Sequence, residues 1–260
     1  MSDQRTPTQT LDAIVVGAGF AGLYMLHRLR QLGFSARVIE AGSGAGGTWF
    51  WNRYPGARVD VESMQYSYQF SEELQQEWQW SERYAPQAEL LAYINHVVER
   101  FDLARDIQFN TRVVSTVFDE ASQRWQVTTD GNDRFSAKFC IMATGCLSAA
   151  NKPDIKGMDS FKGPIYHTGE WPHEGVDFTG KRVGIIGTGS SAIQAIPEIA
   201  KQAAHLTVFQ RTPTFSVPAR NAPLDPEYVE NVKRNYAALR TTAKQQFNAF
   251  DVQFNEKAAT

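Results

Sequence analysis

Two short glycine clusters carry the chemistry most directly readable from this sequence. In the first, "GAGFAG", Gly17, Gly19 and Gly22 follow the apolar run "DAIVV" and open a stretch with leucines at helical spacing. There the first glycine permits a tight turn, the second lets the backbone approach a pyrophosphate, and the third lets helix pack on strand. A helix starting near Phe20 turns its free N–H groups toward the phosphates. Glu40, 23 residues beyond Gly17, ends the next apolar run, where a carboxylate accepts hydrogen bonds from ribose hydroxyls. The second cluster, "GTGSSA", repeats the grammar with Gly187, Thr188, Gly189, Ser190, Ser191 and Ala192, and Gln194 follows on the same helix. Here 24 residues beyond Gly187 lead to Arg211, followed by Thr212. A carboxylate repels a 2′-phosphate and a guanidinium pairs with it, so this site is expected to prefer NADPH over NADH. The alternative is that Arg211 is a solvated charge at a strand end.

Two dinucleotide sites in one chain imply electron transfer between cofactors, most simply from a nicotinamide to a flavin, which assigns FAD to the site with Glu40. Cys140 and Cys146 form no CxxC pair, which argues against a flavin that passes electrons to a dithiol. Oxygen is then the obvious acceptor. The two cysteines read as buried thiols, and no metal site is expected.

The elements that must position these residues alternate. Asp12 to Val16 reads as a buried strand, Leu23, Leu26, Leu29 and Leu32 as one helical stripe ended by Gly33, and "ARVIE" as a second strand. Leu90, Leu91, Ile94, Val97, Val98 and Phe101 predict another helix, and runs around Val113, Val127 and Phe139 a meander that rejoins the sheet. The second cluster restarts with strand, turn, helix and the strand "LTVFQ", and Pro197 is expected to kink or end that helix. Asp225 and Pro226 predict the N-cap and first position of a last helix, whose apolar face runs through Val229, Val232, Tyr236, Leu239, Ala243 and Phe247. Almost no sequence follows to cover that face, which is therefore expected to lack a partner within the chain. The fold class is α/β, with two Rossmann-like dinucleotide-binding units and the start of a helical insertion.

Composition narrows the function classes. With 260 residues and 42% hydrophobic content the chain can bury real cores, and a net charge of −2 gives no footprint for nucleic acid. The polar start "MSDQRTPTQT" lacks a signal-peptide core, and no uncharged run reaches the roughly 20 residues of a membrane span, so a cytoplasmic protein is expected.

Two further stretches carry a family resemblance. "GGTWFWNRYPGARVD" places Gly47, Thr48, Trp49, Tyr54, Pro55, Gly56, Arg58 and Asp60 in one run, and "FKGPIYHTGEWP" supplies Phe161, Gly163, His167, Trp171 and Pro172. Together with the two glycine turns, in this order, they resemble the two signatures of type I Baeyer–Villiger monooxygenases. Related N- and S-oxidising flavin monooxygenases share the glycine turns and typically lack the Trp-Pro ending. The resemblance implies that NADPH reduces FAD, that oxygen adds at flavin C4a, and that the peroxide attacks a ketone to give an ester or lactone. It implies that Asp60 orients and tunes a catalytic arginine, and that Trp49, Tyr54 and Tyr66 line the flavin and nicotinamide sites, where core packing is the alternative for each. Arg58 meets NADP phosphate or is merely solvated. His167 is a linker residue that couples the position of the NADP unit to catalysis, or a satisfied histidine without chemistry. The implied division is an FAD-binding domain over 1–148, the first part of an NADP-binding domain over 149–218 with a linker at 149–180, and a helical subdomain beginning at 219–260. The chain is about half a usual member, and none of its arginines matches the catalytic one by motif. The catalytic arginine and a missing C-terminal half are therefore expected beyond Thr260, with activity of residues 1–260 alone in doubt.

Overall fold

Alternating side chains along β1 (Gln9–Val16) face two separate cores. The computed structural model describes residues 7–147, 149–246 and 249–250. Ala13 and Val15 join Val38 in a cluster roofed by helices, whereas Ile14 and Ile39 join Val127, Phe135 and Ala137 on the opposite face. This period of two is the geometry of a strand buried on both sides. β1 is flanked in parallel by β2 (Ala36–Ile39) and by β6 (Arg134–Met142), and the short β3 (Ile107–Gln108) pairs in parallel with β2. β4 (Val113–Asp119) and β5 (Arg124–Thr129) complete the expected meander, giving the order β3-β2-β1-β6-β5-β4.

The crossover α1 (Phe20–Gln31) buries Leu23, Leu26 and Leu29. Leu32 departs from the expected stripe. It sits at the C-cap, largely exposed, because Gly33 at φ 78° turns the chain away there. Two short helices, α2 (Thr48–Trp51) and α3 (Glu72–Glu77), precede α4 (Gln87–Arg100), which buries Leu90, Tyr93, Ile94 and Val97.

A second, two-stranded sheet pairs β7 (Arg182–Ile186) with β8 (His205–Phe209) in parallel, and α5 (Ser190–Ala200) crosses between them. Pro197 lies inside α5 without ending it. The proline forfeits a backbone bond to the carbonyl of Ile193, but both residues lie on the exposed side, where water can satisfy that carbonyl.

The last helix, α6 (Pro226–Lys244), starts as expected, with the Asp225 carboxylate accepting from the Glu227 N–H at 2.8 Å. The expectation that its apolar face lacks a partner is wrong. Val232 and Tyr236 enter the main core, Tyr236 donates to the Met64 carbonyl at 3.2 Å, and Lys233 donates to the carbonyls of Gln76 and Trp78 at 2.6 and 2.9 Å. The covering surface is the stretch around residues 62–80, loop apart from the short α3, which shows no periodicity in the sequence. Phe247 lies outside the described residues. Neither cysteine is the buried thiol expected: Cys140 on the face of β6 is only half-buried, and Cys146 is exposed just past the strand's end. Among the described residues no helix is long and apolar enough to cross a membrane, and no cluster of ligands could hold a metal ion.

Candidate functional site

The first glycine turn is closed by backbone on three sides. Gly17 has φ 103°, and a Cβ there would lie 2.6 Å from the Ala143 carbonyl oxygen, at the exit of β6. A Cβ on Gly22 would lie 1.9 Å from the Gly17 carbonyl oxygen, and one on Gly47, at φ 53°, would lie 2.9 Å from the Gly19 Cα. Glycine is thus a steric requirement at all three positions, and Gly47 of the first signature forms one wall of the turn. No side chain caps α1 at Gly19, which leaves its first N–H groups for an anion. Glu40 is buried, and its two carboxylate oxygens accept from the N–H groups of Ala18 at 2.6 Å and Gly42 at 2.7 Å. It therefore ties the glycine turn to the neighbouring loop, a role its sequence position did not reveal. Each oxygen retains lone-pair capacity for a ribose hydroxyl. The cradle and its donors fit a dinucleotide.

Trp49 of the first signature shares the main core with Phe20, the first residue of α1, and with Tyr66 and Tyr68. Trp49 is buried on α2 and donates through Nε1 to the Tyr66 hydroxyl at 3.1 Å, and Phe20 meets the Tyr66 ring at 5.3 Å. Tyr68, which sequence reasoning missed, donates to the Phe20 carbonyl at 2.7 Å. Its own N–H donates to Tyr93 of α4 at 2.9 Å, and Gln87 donates to the Trp49 carbonyl. Only Tyr93 had a local signal, its place on the buried face of α4. Asp60 is exposed. Burial pushes the phenols of Tyr54 and Tyr66 above their usual range, and the negative charge of Asp60 adds to both shifts. Arg58 is not a free cation here, because its guanidinium lies 3.5 Å from the Glu82 carboxylate and 3.4 Å from the Tyr84 carbonyl.

The second turn repeats the dihedral pattern in open surroundings. Gly187 has φ 100°, yet nothing among the described residues lies within 4 Å of a Cβ placed there or on Gly189. α5 also begins without a side-chain cap, Thr188 accepts from Gln210 at 2.8 Å, and Ser190 and Ser191 form the first turn of the helix. Arg211 and Thr212 are exposed beyond β8, and Arg211 forms no ion pair among the described residues. Gln194 turns instead toward the first unit, bonding Tyr54 and the Arg58 backbone.

The second signature divides between surface and core. Phe161 is exposed and its ring lies over Gly163, where a Cβ would be 2.6 Å from it. His167 accepts through Nδ1 from the Gly169 N–H at 3.1 Å, capping a single turn of 3-10 helix at Thr168–Glu170. Trp171 is buried with Phe178, Ala195 and Ile199, and Tyr54 packs on this cluster from the first unit. Beyond Pro172, the His173 ring meets Phe50 at 5.4 Å and Trp51 at 6.5 Å. The two signatures, more than 100 residues apart in sequence, thus meet in space.

Comparison with known proteins matches residues 14–259 to the family described as pyridine nucleotide-disulphide oxidoreductase. Acetone monooxygenase (methyl acetate-forming) of Gordonia sp. (strain TY-5) is 45% identical over 96% of this chain and 47% of its own length. Phenazine N-monooxygenase PhzNO1 of Lysobacter antibioticus is 49% identical over 88% of this chain and 42% of its own. The solved structure of oxidized steroid monooxygenase bound to NADP superposes with a TM-score of 0.91 at 56% identity, covering 96% of this chain and 48% of that one. The chain spans about half the length of the curated relatives it matches. It belongs to the pyridine nucleotide-disulphide oxidoreductase family, and the likeness to Baeyer–Villiger monooxygenases carried by its two signatures is matched by relatives of that type.

Proposed function

We propose that this chain forms the FAD- and NADPH-holding part of a monooxygenase that inserts one oxygen atom of O2 beside a ketone carbonyl, giving an ester or lactone. The observation that supports the reading is that α1 and α5 each begin at a glycine turn without a side-chain cap, while Gln194 of α5 bonds Tyr54 and Arg58 of the first signature. Bound FAD would accept hydride from NADPH and activate oxygen. The protein's own residues bind and orient. The N-terminus of α1 takes the FAD pyrophosphate, Glu40 the ribose, and Trp49 with Tyr66 one wall of the flavin site. The N-terminus of α5, with Thr188, Ser190 and Ser191, takes the NADPH pyrophosphate, while Arg211 and Thr212 take the 2′-phosphate. Asp60, exposed beside Tyr54 and Tyr66, is the carboxylate that orients a cation, which no arginine of residues 1–260 matches by motif.

The test incubates the purified protein with FAD, NADPH and oxygen, offering a ketone in one arm and a heteroaromatic amine in the other, with products identified by mass spectrometry. Ester formation coupled to NADPH consumption is expected. A second reading, N-oxygenation, is favoured by the likeness to phenazine N-monooxygenase, and an N-oxide without ester would establish it. Binding of both cofactors without any product would mark residues 1–260 as a cofactor-holding portion that does not turn over alone.

A further inference from the structure

We infer that Gln194 is a positioning residue, a clasp that holds the two nucleotide-binding units in one relative placement; its functional consequence rests on the cofactor reading above. Gln194 stands on α5, five residues past Gly189, where sequence spacing alone assigns it to the nucleotide. Its carboxamide points away from that use. Oε1 accepts from the Tyr54 hydroxyl at 2.8 Å and from the Arg58 N–H at 3.3 Å, and Nε2 donates to the Arg58 carbonyl at 3.1 Å. One side chain thus answers both polar groups of a single residue's backbone, as a neighbouring strand would. The opposite amide orientation would set donor against donor and acceptor against acceptor, so the network fixes it. Both lone pairs of Oε1 and one of two N–H groups are committed, which leaves a single N–H for anything else.

The backbone around this side chain is equally close. Gly56, at φ 78°, has no room for a Cβ, which would lie 2.3 Å from the Gln194 carbonyl oxygen. Tyr54, the donor to Gln194, also packs on the cluster that contains Trp171. Gln194 is therefore the polar centre of the junction between the two signatures. All three bonds are neutral, so the contact is specific in geometry and weak enough to open and re-form, as a contact between moving units must.

The experiment uses the FAD-loaded protein and three variants, Gln194→Met, Tyr54→Phe and the double variant. Hydrogen exchange at the Arg58 amide reads the clasp directly. Anaerobic bleaching of flavin absorbance at saturating NADPH reads its consequence, and NADPH affinity is measured separately. Gln194→Met is expected to speed Arg58 exchange and lower the saturating bleaching rate by about tenfold, equivalent to the loss of about 1.4 kcal/mol. Tyr54→Phe is expected to lower the rate by less, and the double variant to be no slower than Gln194→Met, because Tyr54 acts through Gln194. If Gln194→Met weakens NADPH affinity while the saturating rate and Arg58 exchange stay at wild-type values, Gln194 is a nucleotide ligand and the inference is overturned. Should Gln194→Met not fold, a wild-type saturating rate in Tyr54→Phe overturns it equally. Failure of wild-type flavin to bleach with NADPH would refute the cofactor reading alone, since Arg58 exchange still decides the clasp.

Discussion

An alanine at Gly22 and an alanine at Gly189 are expected to do opposite things, although both glycines belong to dinucleotide turns. At Gly22 the new Cβ would lie 1.9 Å from the Gly17 carbonyl oxygen, well inside the 3.0 Å that real Cβ contacts respect. The start of α1 must then retreat by about 1 Å, against Leu23 and Leu26, which are fully buried. Overpacking of this kind costs about 1–3 kcal/mol, and partial uncovering of two leucines brings the total to about 3 kcal/mol. Alanine regains about 1 kcal/mol of helix propensity, so the net loss is about 2 kcal/mol. In a chain of this size that lowers Tm by roughly 4–8 °C. The same shift moves the N–H groups that face the FAD pyrophosphate, so flavin content falls as well.

At Gly189 the backbone has φ −74° and a Cβ meets nothing within 4 Å among the described residues. Stability should hold within about 1 kcal/mol, the range of an N-cap exchange, while NADPH binding drops because the Cβ occupies the close-approach position of the pyrophosphate. Circular dichroism melts, flavin absorbance after desalting and NADPH titration separate the two cases. A Gly22→Ala protein that melts with wild type and keeps its flavin would refute the steric reasoning.

Other perturbations follow from the same geometry. Arg240 of α6 is buried and donates to the carbonyls of Gln65 at 2.6 Å and Met64 at 3.0 Å and to the Ser67 hydroxyl at 2.7 Å, with no carboxylate partner among the described residues. Arg240→Met should cost about 1–3 kcal/mol, measured as a lower urea midpoint at unchanged m, and Arg240→Lys should not restore it because an ammonium cannot reproduce the fork. His27 lies between Phe70 at 4.5 Å and Phe101 at 4.9 Å, and burial, then the charges of Arg28 and Arg30, push its pKa below the usual 6.5. The folded state therefore holds fewer protons there than the unfolded state as pH falls through 6.5, so this contribution to stability is present above that pH and lost below it. His27→Phe should flatten the decline of Tm between about pH 7 and pH 5. Arg211→Gln should weaken NADPH binding by about 10- to 100-fold, the loss of a charge-assisted pair, and leave NADH binding unchanged in a fluorescence titration.

Legibility from sequence tracked the distance between interacting residues. The glycine turns, the stripe of α4, the meander and the cap of α6 were readable because each is a pattern within a few residues of itself. Glu40 was readable in position but not in function, since its bonds to Ala18 and Gly42 depend on how two loops close. Gln194 and Arg240 were not readable in their roles, because their partners lie 136 and 176 residues away and neither end carries a periodic signal. The covered face of α6 was misjudged for the same reason. Helical periodicity announces that a face will be buried, but an irregular aromatic stretch that buries it announces nothing.

The asymmetry between the two turns sets what the clasp must bear. The first unit rests on a six-stranded sheet, and its glycine turn is backed by Ala143. Among the described residues the second rests on two strands, with Ile186 70% exposed and Phe209 56% exposed, and nothing backs its turn. Two strands alone are marginal in water, so the order of this unit depends on the Trp171, Phe178, Ala195 and Ile199 cluster and on whatever packs against it. Tyr54 is part of that packing and Gln194 secures Tyr54, which means that loosening the clasp loosens both the placement of the second unit and its core. A graded response follows. Tyr54→Phe keeps the ring on the cluster and removes one bond, whereas Tyr54→Ala removes the ring as well and should lower the Tm of the second unit before that of the first. Coincident melting of both units in Tyr54→Ala, followed by exchange at β1 and β7, would show that the second unit draws its stability from elsewhere.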